Sequence, residues 1–497
     1  MEFSEWEGDI LAVAVTEKDV SKGTSSRFEN AAELAELDGQ LGGLLSEAEA
    51  EEDFAGKAGQ SVSLRLRGHR FKRVCLIGLG QDAPSSAAAC RSIGESIASA
   101  AKSAQATSAA IAFASPDGIQ GDDFKLNAAA AVTSGILLGL NEDSRYKSES
   151  KKVHLKHVDL IGFGDQEVDR KLKHANDVSS GVIFGKELVN SPANVLTPGD
   201  GKVSKIASAY SDVFTATILD EERCRELKMG SYLAVAAASA NPPHFIHLCY
   251  KPPGGNAKRK LAIVGKGLTF DSGGYNIKVG AVCTIELMKK DMGGSAAVFG
   301  AAKALGQIKP PGAEVHFIYA ACENMISGTG MRPGDIVTAS NGKTMEVNNT
   351  DAEGRLTLAD ALIYACKQGV DKIIDLATLT GACRVALGPS IAAAPCTQST
   401  RFNHSCYSAF PAPSSSHQPS ASLAVTPTLR PCRMPCAPHQ EQRQPVHLCC
   451  SRASSARRDC APASCHPRAC AQRQLRAHAG PLRLAMSDNH RPASCPC

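Results

Sequence analysis

The sequence predicts an α/β protein built as two successive α/β units, followed by a C-terminal stretch of a different kind. Three observations support this. Apolar runs of strand length alternate with Ala-rich helical stretches up to about residue 165, the alternation resumes after a turn at 190–194, and the pattern stops after about Ala392. A chain of 497 residues also exceeds one ordinary domain, because domains run at about 150 residues each.

In chain order, Asp9 to Val15, Arg73 to Gly80, Ser108 to Ala114 and Val158 to Phe163 are expected as buried strands. Between them, Ala87 to Ala104 and Asn127 to Leu140 have helical length and composition, and the alternation implies a mostly parallel sheet. The acidic run Glu47 to Asp53 and the basic cluster Arg65, Arg67, Arg70, Lys72 and Arg73 read as solvated faces. A helix from about Val168 to Leu188 ends at Asn190-Ser191-Pro192-Ala193-Asn194, where the proline and two asparagines stop it. The second unit then shows a strand at Lys260 to Val264, a helix at Ser295 to Leu305 and a strand at Glu314 to Ala320. A helix at Thr357 to Lys367, stopped by Gly369, and a strand at Lys372 to Leu376 complete it. The expected organisation is an N-terminal domain over 1–165, a linker helix over 166–194, a second domain over 195–393 and a tail over 394–497. No period of 20 to 50 residues points to a repeat architecture.

The tail differs in kind. It holds 11 of the 19 cysteines, 12 Arg, no Lys and three acids, a balance of +9 before histidine. The rest of the chain carries 42 basic and 47 acidic residues, so the overall +4 describes neither part and implies no anionic partner. Pro, Ser, Arg, Cys, Ala and His without a periodic apolar face cannot offset their ordering entropy, so disorder is expected. The composition resembles GC-rich sequence read out of frame or through an intron. Cys432, Cys436, Cys449, Cys450, Cys460, Cys465 and Cys470, with His466, fit no standard zinc module.

No run approaches the roughly 18 apolar residues of a membrane span, and the hydrophobic fraction of 43% suits a soluble globular chain. The first ten residues include Glu2, Glu5, Glu7 and Asp9, the wrong charge for a secretory or transit leader. The expected location is cytoplasmic, or chloroplast if a transit peptide lies outside this chain.

The chemistry-bearing residues come in three pieces. In Val264-Gly265-Lys266-Gly267-Leu268-Thr269-Phe270-Asp271-Ser272-Gly273-Gly274 an apolar strand runs into a Gly-rich turn bearing Lys266 and Asp271. Met288-Lys289-Lys290-Asp291-Met292-Gly293-Gly294 places Asp291 before another Gly pair. In the third piece Asp351, Glu353 and Arg355 alternate, so an extended segment would aim all three to one side. Gathered acids of this kind are costly without a neutralising partner, and an oxygen-rich set suits Mg2+, Mn2+ or Zn2+. A phosphate-loop reading of Gly265-Lys266-Gly267 fails because the full Gly-x-x-x-x-Gly-Lys-Ser/Thr spacing is missing.

Together these pieces resemble the catalytic domain of the leucyl aminopeptidase family, most like its plant and algal members, over about Glu187 to Ala392. Asn349-Thr350-Asp351-Ala352-Glu353-Gly354-Arg355-Leu356 is similar to that family's signature. Asn190 to Asn194, Phe270 to Asn276, Asp291 to Gly294, Glu323-Asn324-Met325 and Ala377 to Ala382 match as well. The resemblance implies a macro-like N-terminal α/β domain and a zinc-peptidase-like catalytic domain. It implies two divalent ions, Mn2+ or Zn2+ and otherwise Mg2+, one held by Asp271, Asp351 and Glu353, the other by Lys266, Asp271, Asp291 and Glu353. It places Lys278 over the scissile carbonyl and gives Arg355 a bicarbonate that shuttles a proton. Met288, Asn349, Thr378 and Gly381 would line an apolar pocket for a leucine-like first residue. The implied partners are peptide substrates and further copies of the chain, usually six, without membrane or nucleic acid.

Departures are also visible. Lys278-Val279-Gly280-Ala281-Val282-Cys283 stands where relatives more often read Lys-Thr-Gly-Pro-Gly-Cys, and Lys290 adds charge beside Asp291. After Ser390-Ile391-Ala392 the family would continue with elements that complete the sheet, close the pocket and build trimer contacts. The alternative function is therefore a catalytically impaired homologue that only binds peptide, partner subunits or nucleic acid.

Overall fold

The computed structural model describes residues 5–20, 27–82, 84, 86–115, 122–148, 155–163, 166–280, 284–388 and 424–429. They fall in one unit, Met1–Met434, while the second, Pro435–Cys497, lies outside the described residues.

The N-terminal layer is built from β1 (Gly8–Val15), α1 (Ala32–Gln40), α2 (Leu44–Glu51), β2 (Ser61–Arg65) and β3 (Phe71–Gly78), then α3 (Ala87–Ala104), β4 (Ser108–Phe113), α4 (Asp122–Leu140) and β5 (His157–Leu160). The sheet order is β2-β3-β1-β4-β5. All neighbours are parallel except β2, which runs antiparallel to β3. The strands read as continuous apolar runs because both faces are covered. Leu11, Val13 and Val15 pack with Leu34, Leu37 and Leu45 of α1 and α2. Ile10 and Ala12 pack with Ile93, Ile97, Val132 and Ile136 of α3 and α4. Ser86 caps α3 by accepting from the Ala89 amide at 3.2 Å.

α5 (Gln166–Asn190) is the predicted linker helix. It packs against α4 on one side and α9 on the other. At the second crossing a Cβ on Gly181 would stand 2.3 Å from the Gly300 carbonyl oxygen, so only glycine lets these helices approach.

The second layer contains α6 (Lys202–Ala209), β6 (Phe214–Leu219), α7 (Glu221–Glu226), α8 (Gly230–Ala236), β7 (His244–Tyr250), β8 (Arg259–Asp271), α9 (Gly293–Ile308) and β9 (Ala313–Asn324). The ribbon β10 (Ile336–Thr338) and β11 (Thr344–Glu346) follows, then α10 (Gly354–Lys367), β12 (Lys372–Ala377), α11 (Ala382–Leu387) and β13 (Ala424–Leu429). The main sheet runs β13-β12-β8-β9-β7-β6, with β12, β8 and β9 parallel. β6, β7 and β13 are antiparallel to their neighbours. α8 and α10 cover one face, burying Tyr232, Leu356 and Ala361 against Val264 and Ile318. α9 covers the other, with Val298 and Phe299 against Phe317 and Tyr319.

β8 extends seven residues past the expected end at Val264, to Asp271, because main-chain pairing with β9 carries it through Gly265 to Gly267. β6 and β7 had no sequence expectation: histidine and threonine interrupt their apolar pattern. Of the tail, the described residues include only β13, so the rest of the disorder expectation lies outside them. Among the described residues, no helix is long and apolar enough to cross a membrane.

Candidate metal centre and active site

Lys266 and Asp271 both come from β8 and stand at the carboxyl end of the parallel strands, where open α/β sheets bind ligands. Asp291 ends a 3-10 turn, Ile285–Lys290, just before α9. Asp351 and Glu353 sit at the mouth of α10. There the Asn349 side chain accepts from the Asp351 amide at 2.9 Å and caps a 3-10 turn over Thr350–Ala352.

That cap corrects one expectation. The signature segment is a helical entry rather than an extended strand, so Asp351, Glu353 and Arg355 do not share one side. Glu353 is buried, Asp351 half-buried and Arg355 exposed. No hydrogen bond or ion pair among the described residues holds Arg355.

The structure gathers Lys266, Asp271, Lys278, Asp291, Asp351 and Glu353 around one point. The Lys266 ammonium lies 2.6 Å from Asp291 Oδ2 and 2.9 Å from Glu353 Oε1, and donates to the Thr378 carbonyl at 3.2 Å. Lys278 Nζ stands 2.8 Å from Asp271 Oδ2 and also pairs with Asp351 Oδ1. The close approach of α10 to β8 depends on Gly354, where a Cβ would meet Lys266 Cε at 2.6 Å.

Sequence reasoning gave Asn324 no role, yet its amide donates to Asp271 Oδ1 at 2.8 Å and to the Thr350 carbonyl at 3.0 Å. It thereby ties the β8 acid to the signature turn. The signal was its place in the Glu323-Asn324-Met325 match. Thr378 does more than line a pocket, since its hydroxyl donates to Asp291 Oδ1 at 2.9 Å. Of the other expected pocket residues, Met288 is half-buried in the 3-10 turn, while Asn349 and Gly381 are exposed. Residues 281–283 of the variant segment lie outside the described residues.

The electrostatics explain the pairing. Burial alone would push the Lys266 ammonium down, but Asp291 and Glu353 hold it well above the usual lysine range. Lys278 is likewise raised, with Asp271 overcoming its burial. Burial raises Glu353 to about 8, helped by Asp271 and Asp291 and opposed by Lys266. Asp291 is also raised, first by burial.

These residues fit divalent cations. Glu353 Oε2 is buried with no hydrogen-bond partner among the described residues, and Asp291 Oδ2 and Glu353 Oε1 are met only by the Lys266 ammonium. The ammonium there neutralises charge without pairing every lone pair, which leaves acceptors aimed at the centre of the cluster. Asp271, Asp351 and Glu353 bring oxygens within 4.8 Å of one another. A carboxylate-rich set of this kind binds hard divalent ions.

Comparison with known proteins places this arrangement. The cytosol aminopeptidase family, catalytic domain, matches residues 183–410, and that family's N-terminal domain matches 12–150. Leucine aminopeptidase 2, chloroplastic, from Oryza sativa subsp. japonica is 82% identical over 395 residues, 79% of this chain and 66% of that protein. The chain thus spans about two thirds of that relative's length. Leucine aminopeptidase 1 of Arabidopsis thaliana is 69% identical over 391 residues, covering 78% and 74% of the two chains. A mutant of tomato leucine aminopeptidase superposes with a TM-score of 0.72 at 59% identity, over 78% of this chain and 74% of that one.

The cytoplasmic expectation does not stand, because relatives from rice, Arabidopsis and tomato are named chloroplastic. Acidic residues at the chain's start were a poor guide, since a compartment address is not part of the folded layers. With both domains matched in order and the paired lysines and acids in place, the chain belongs to the cytosol aminopeptidase family, a family of metal-binding peptidases.

Proposed function

We propose that this chain is a chloroplast leucyl aminopeptidase that releases leucine-like N-terminal residues from peptides with the help of two divalent ions, Mn2+ or Zn2+. The observation that carries the proposal is the buried group of Lys266, Asp291 and Glu353, in which Glu353 Oε2 has no partner among the described residues and a single ammonium faces the other two oxygens. Asp271, Asp351 and Glu353 would hold one ion, and Lys266, Asp271, Asp291 and Glu353 the other. Two such ions, when bound, supply Lewis acidity that polarises a carbonyl and acidifies a water.

The chain's own residues do the rest. Asn324 fixes the rotamer of Asp271, and Thr378 fixes that of Asp291. Lys278 is the half-open cation of the site, its side chain 15% exposed, and is placed to stabilise negative charge developing on a substrate carbonyl oxygen. Arg355, exposed and held by no hydrogen bond or ion pair among the described residues, would hold a bicarbonate, which would supply a proton shuttle for the leaving amine. Met288 and Thr378, with Asn349 and Gly381 at the rim, would receive the first side chain. The chemistry is assigned to 195–393, with 1–165 and the helix 166–194 serving assembly into a hexamer.

Hydrolysis of leucine p-nitroanilide by the full chain with added Mn2+ tests the proposal, with Glu353→Ala as control. Turnover confined to the unsubstituted chain supports it, and equal rates for the two remove it.

A further inference from the structure

A second cluster of ligand-type side chains lies on the α10 face of the main sheet, away from the centre just described. Cys249 of β7 and His316 of β9 are directly cross-strand, and Glu314 follows two residues away on the same face of β9. One ligand atom from each of these three lies within 4.8 Å of the other two. Thiol, imidazole and carboxylate converging this closely is a donor set typical of zinc, and small side-chain rotations bring them to Zn–S of about 2.3 Å and Zn–N of about 2.0 Å.

The surroundings are built as well. His316 Nε2 stands 3.0 Å from Glu314 Oε1, and its Nδ1 is 2.8 Å from His247 Nε2. His247 Nδ1 in turn lies 3.3 Å from the Tyr364 hydroxyl on α10. A metal-bound histidine commonly donates its other ring N–H to a partner that fixes its orientation, and His247 backed by Tyr364 is such a partner. The cationic neighbours are Lys251 and Lys260, and the Lys260 ammonium is 3.2 Å from Glu314 Oε1. Its side chain is 48% exposed, so it can swing into water when an ion arrives.

The two centres are separate. Tyr364 is ten residues down α10 from Gly354, about 15 Å at the helical rise. The catalytic acids cluster where the parallel strands end, whereas Glu314 and His316 stand where β9 begins.

We propose that Cys249, Glu314 and His316 form a second metal site that takes a zinc-like ion, with a water in the fourth position and His247 orienting His316. Such an ion clamps β7 to β9 and stabilises the catalytic layer by mass action. This inference does not rest on the aminopeptidase reading, because its ligands take no part in that chemistry.

Cobalt tests it directly. None of the residues proposed to hold the catalytic ions is a cysteine, and a near-ultraviolet thiolate-to-cobalt charge-transfer band reports only on cysteine. The full chain is titrated with Co2+ beside its Cys249→Ala variant, and the difference spectrum removes any contribution from other cysteines. A band in that difference, with the Glu314→Gln and His247→Gln midpoints moved to at least about tenfold higher Co2+, supports the site. Superimposable spectra from two folded proteins overturn it. Should Cys249→Ala fail to fold, an unchanged midpoint in Glu314→Gln overturns it equally.

Discussion

Lys266 Nζ lies 2.6 Å from Asp291 Oδ2, with only 3% and 9% of the two side chains exposed. Such a pair is costly to bury and costly to break, because removing one partner strands the other's charge. Lys266→Met should therefore destabilise the metal-free protein by about 3 kcal/mol in urea unfolding. Added Mn2+ should enlarge that difference, since Lys266 is also a proposed ligand and its loss weakens the ion's stabilisation of the folded chain. A loss unaffected by metal would show that Lys266 acts through packing alone.

The pH dependence of the metal-free protein has a definite sign. Glu353 titrates at about 8 in the folded state against 4.5 unfolded, so the folded state binds more protons between those values. Its contribution is fully present below about pH 4.5 and is lost as the pH rises through about 8. Glu353→Gln should flatten this fall, and stability curves against pH for the two proteins check it.

Asn324 positions rather than reacts. Asn324→Ala should leave the fold intact, since its partners lie at one end of the sheet, and should weaken metal binding and turnover by about 10- to 100-fold. Isothermal titration with Mn2+ separates this from a binding defect for peptide: a changed KM with unchanged metal affinity would contradict the positioning role.

Most of the fold and half of this site were legible beforehand, for physical reasons that differ by element. α3 was read to its last residue from its Ala-rich helical composition, and the structure bounds it with the Ser86 cap and with Gln105 in the left-handed region. β8 was cut short because Lys266 and two glycines broke an apolar run, although ladder pairing ignores side-chain type. The acids could be gathered from their motifs, but no periodicity indicates that Asn349 caps a turn and sends Arg355 outward. Asn324 escaped notice as a site residue, and Thr378 was expected only as pocket lining rather than as a donor to Asp291, because a lone polar residue at a strand end has no pattern of its own.

Arg355 gives a further test. Arg355 is exposed, and the proposal that it holds a bicarbonate predicts that turnover depends on bicarbonate. Removing bicarbonate should slow the unsubstituted chain and leave Arg355→Ala, already slow, unchanged. Equal bicarbonate dependence in both proteins would move the proton shuttle to another residue.

The central claim is that Lys266, Asp271, Asp291, Asp351 and Glu353 hold the ions on which peptide hydrolysis depends. The most direct measurement titrates metal-free full-length chain with Mn2+, a hard ion that disfavours the thiol-bearing cluster, while bound metal and leucine p-nitroanilide hydrolysis are followed together. The account predicts two ions per chain, activity that appears as they bind, and loss of both binding and activity in Glu353→Ala. Hydrolysis that survives in Glu353→Ala, or two bound ions with no hydrolysis, would contradict it.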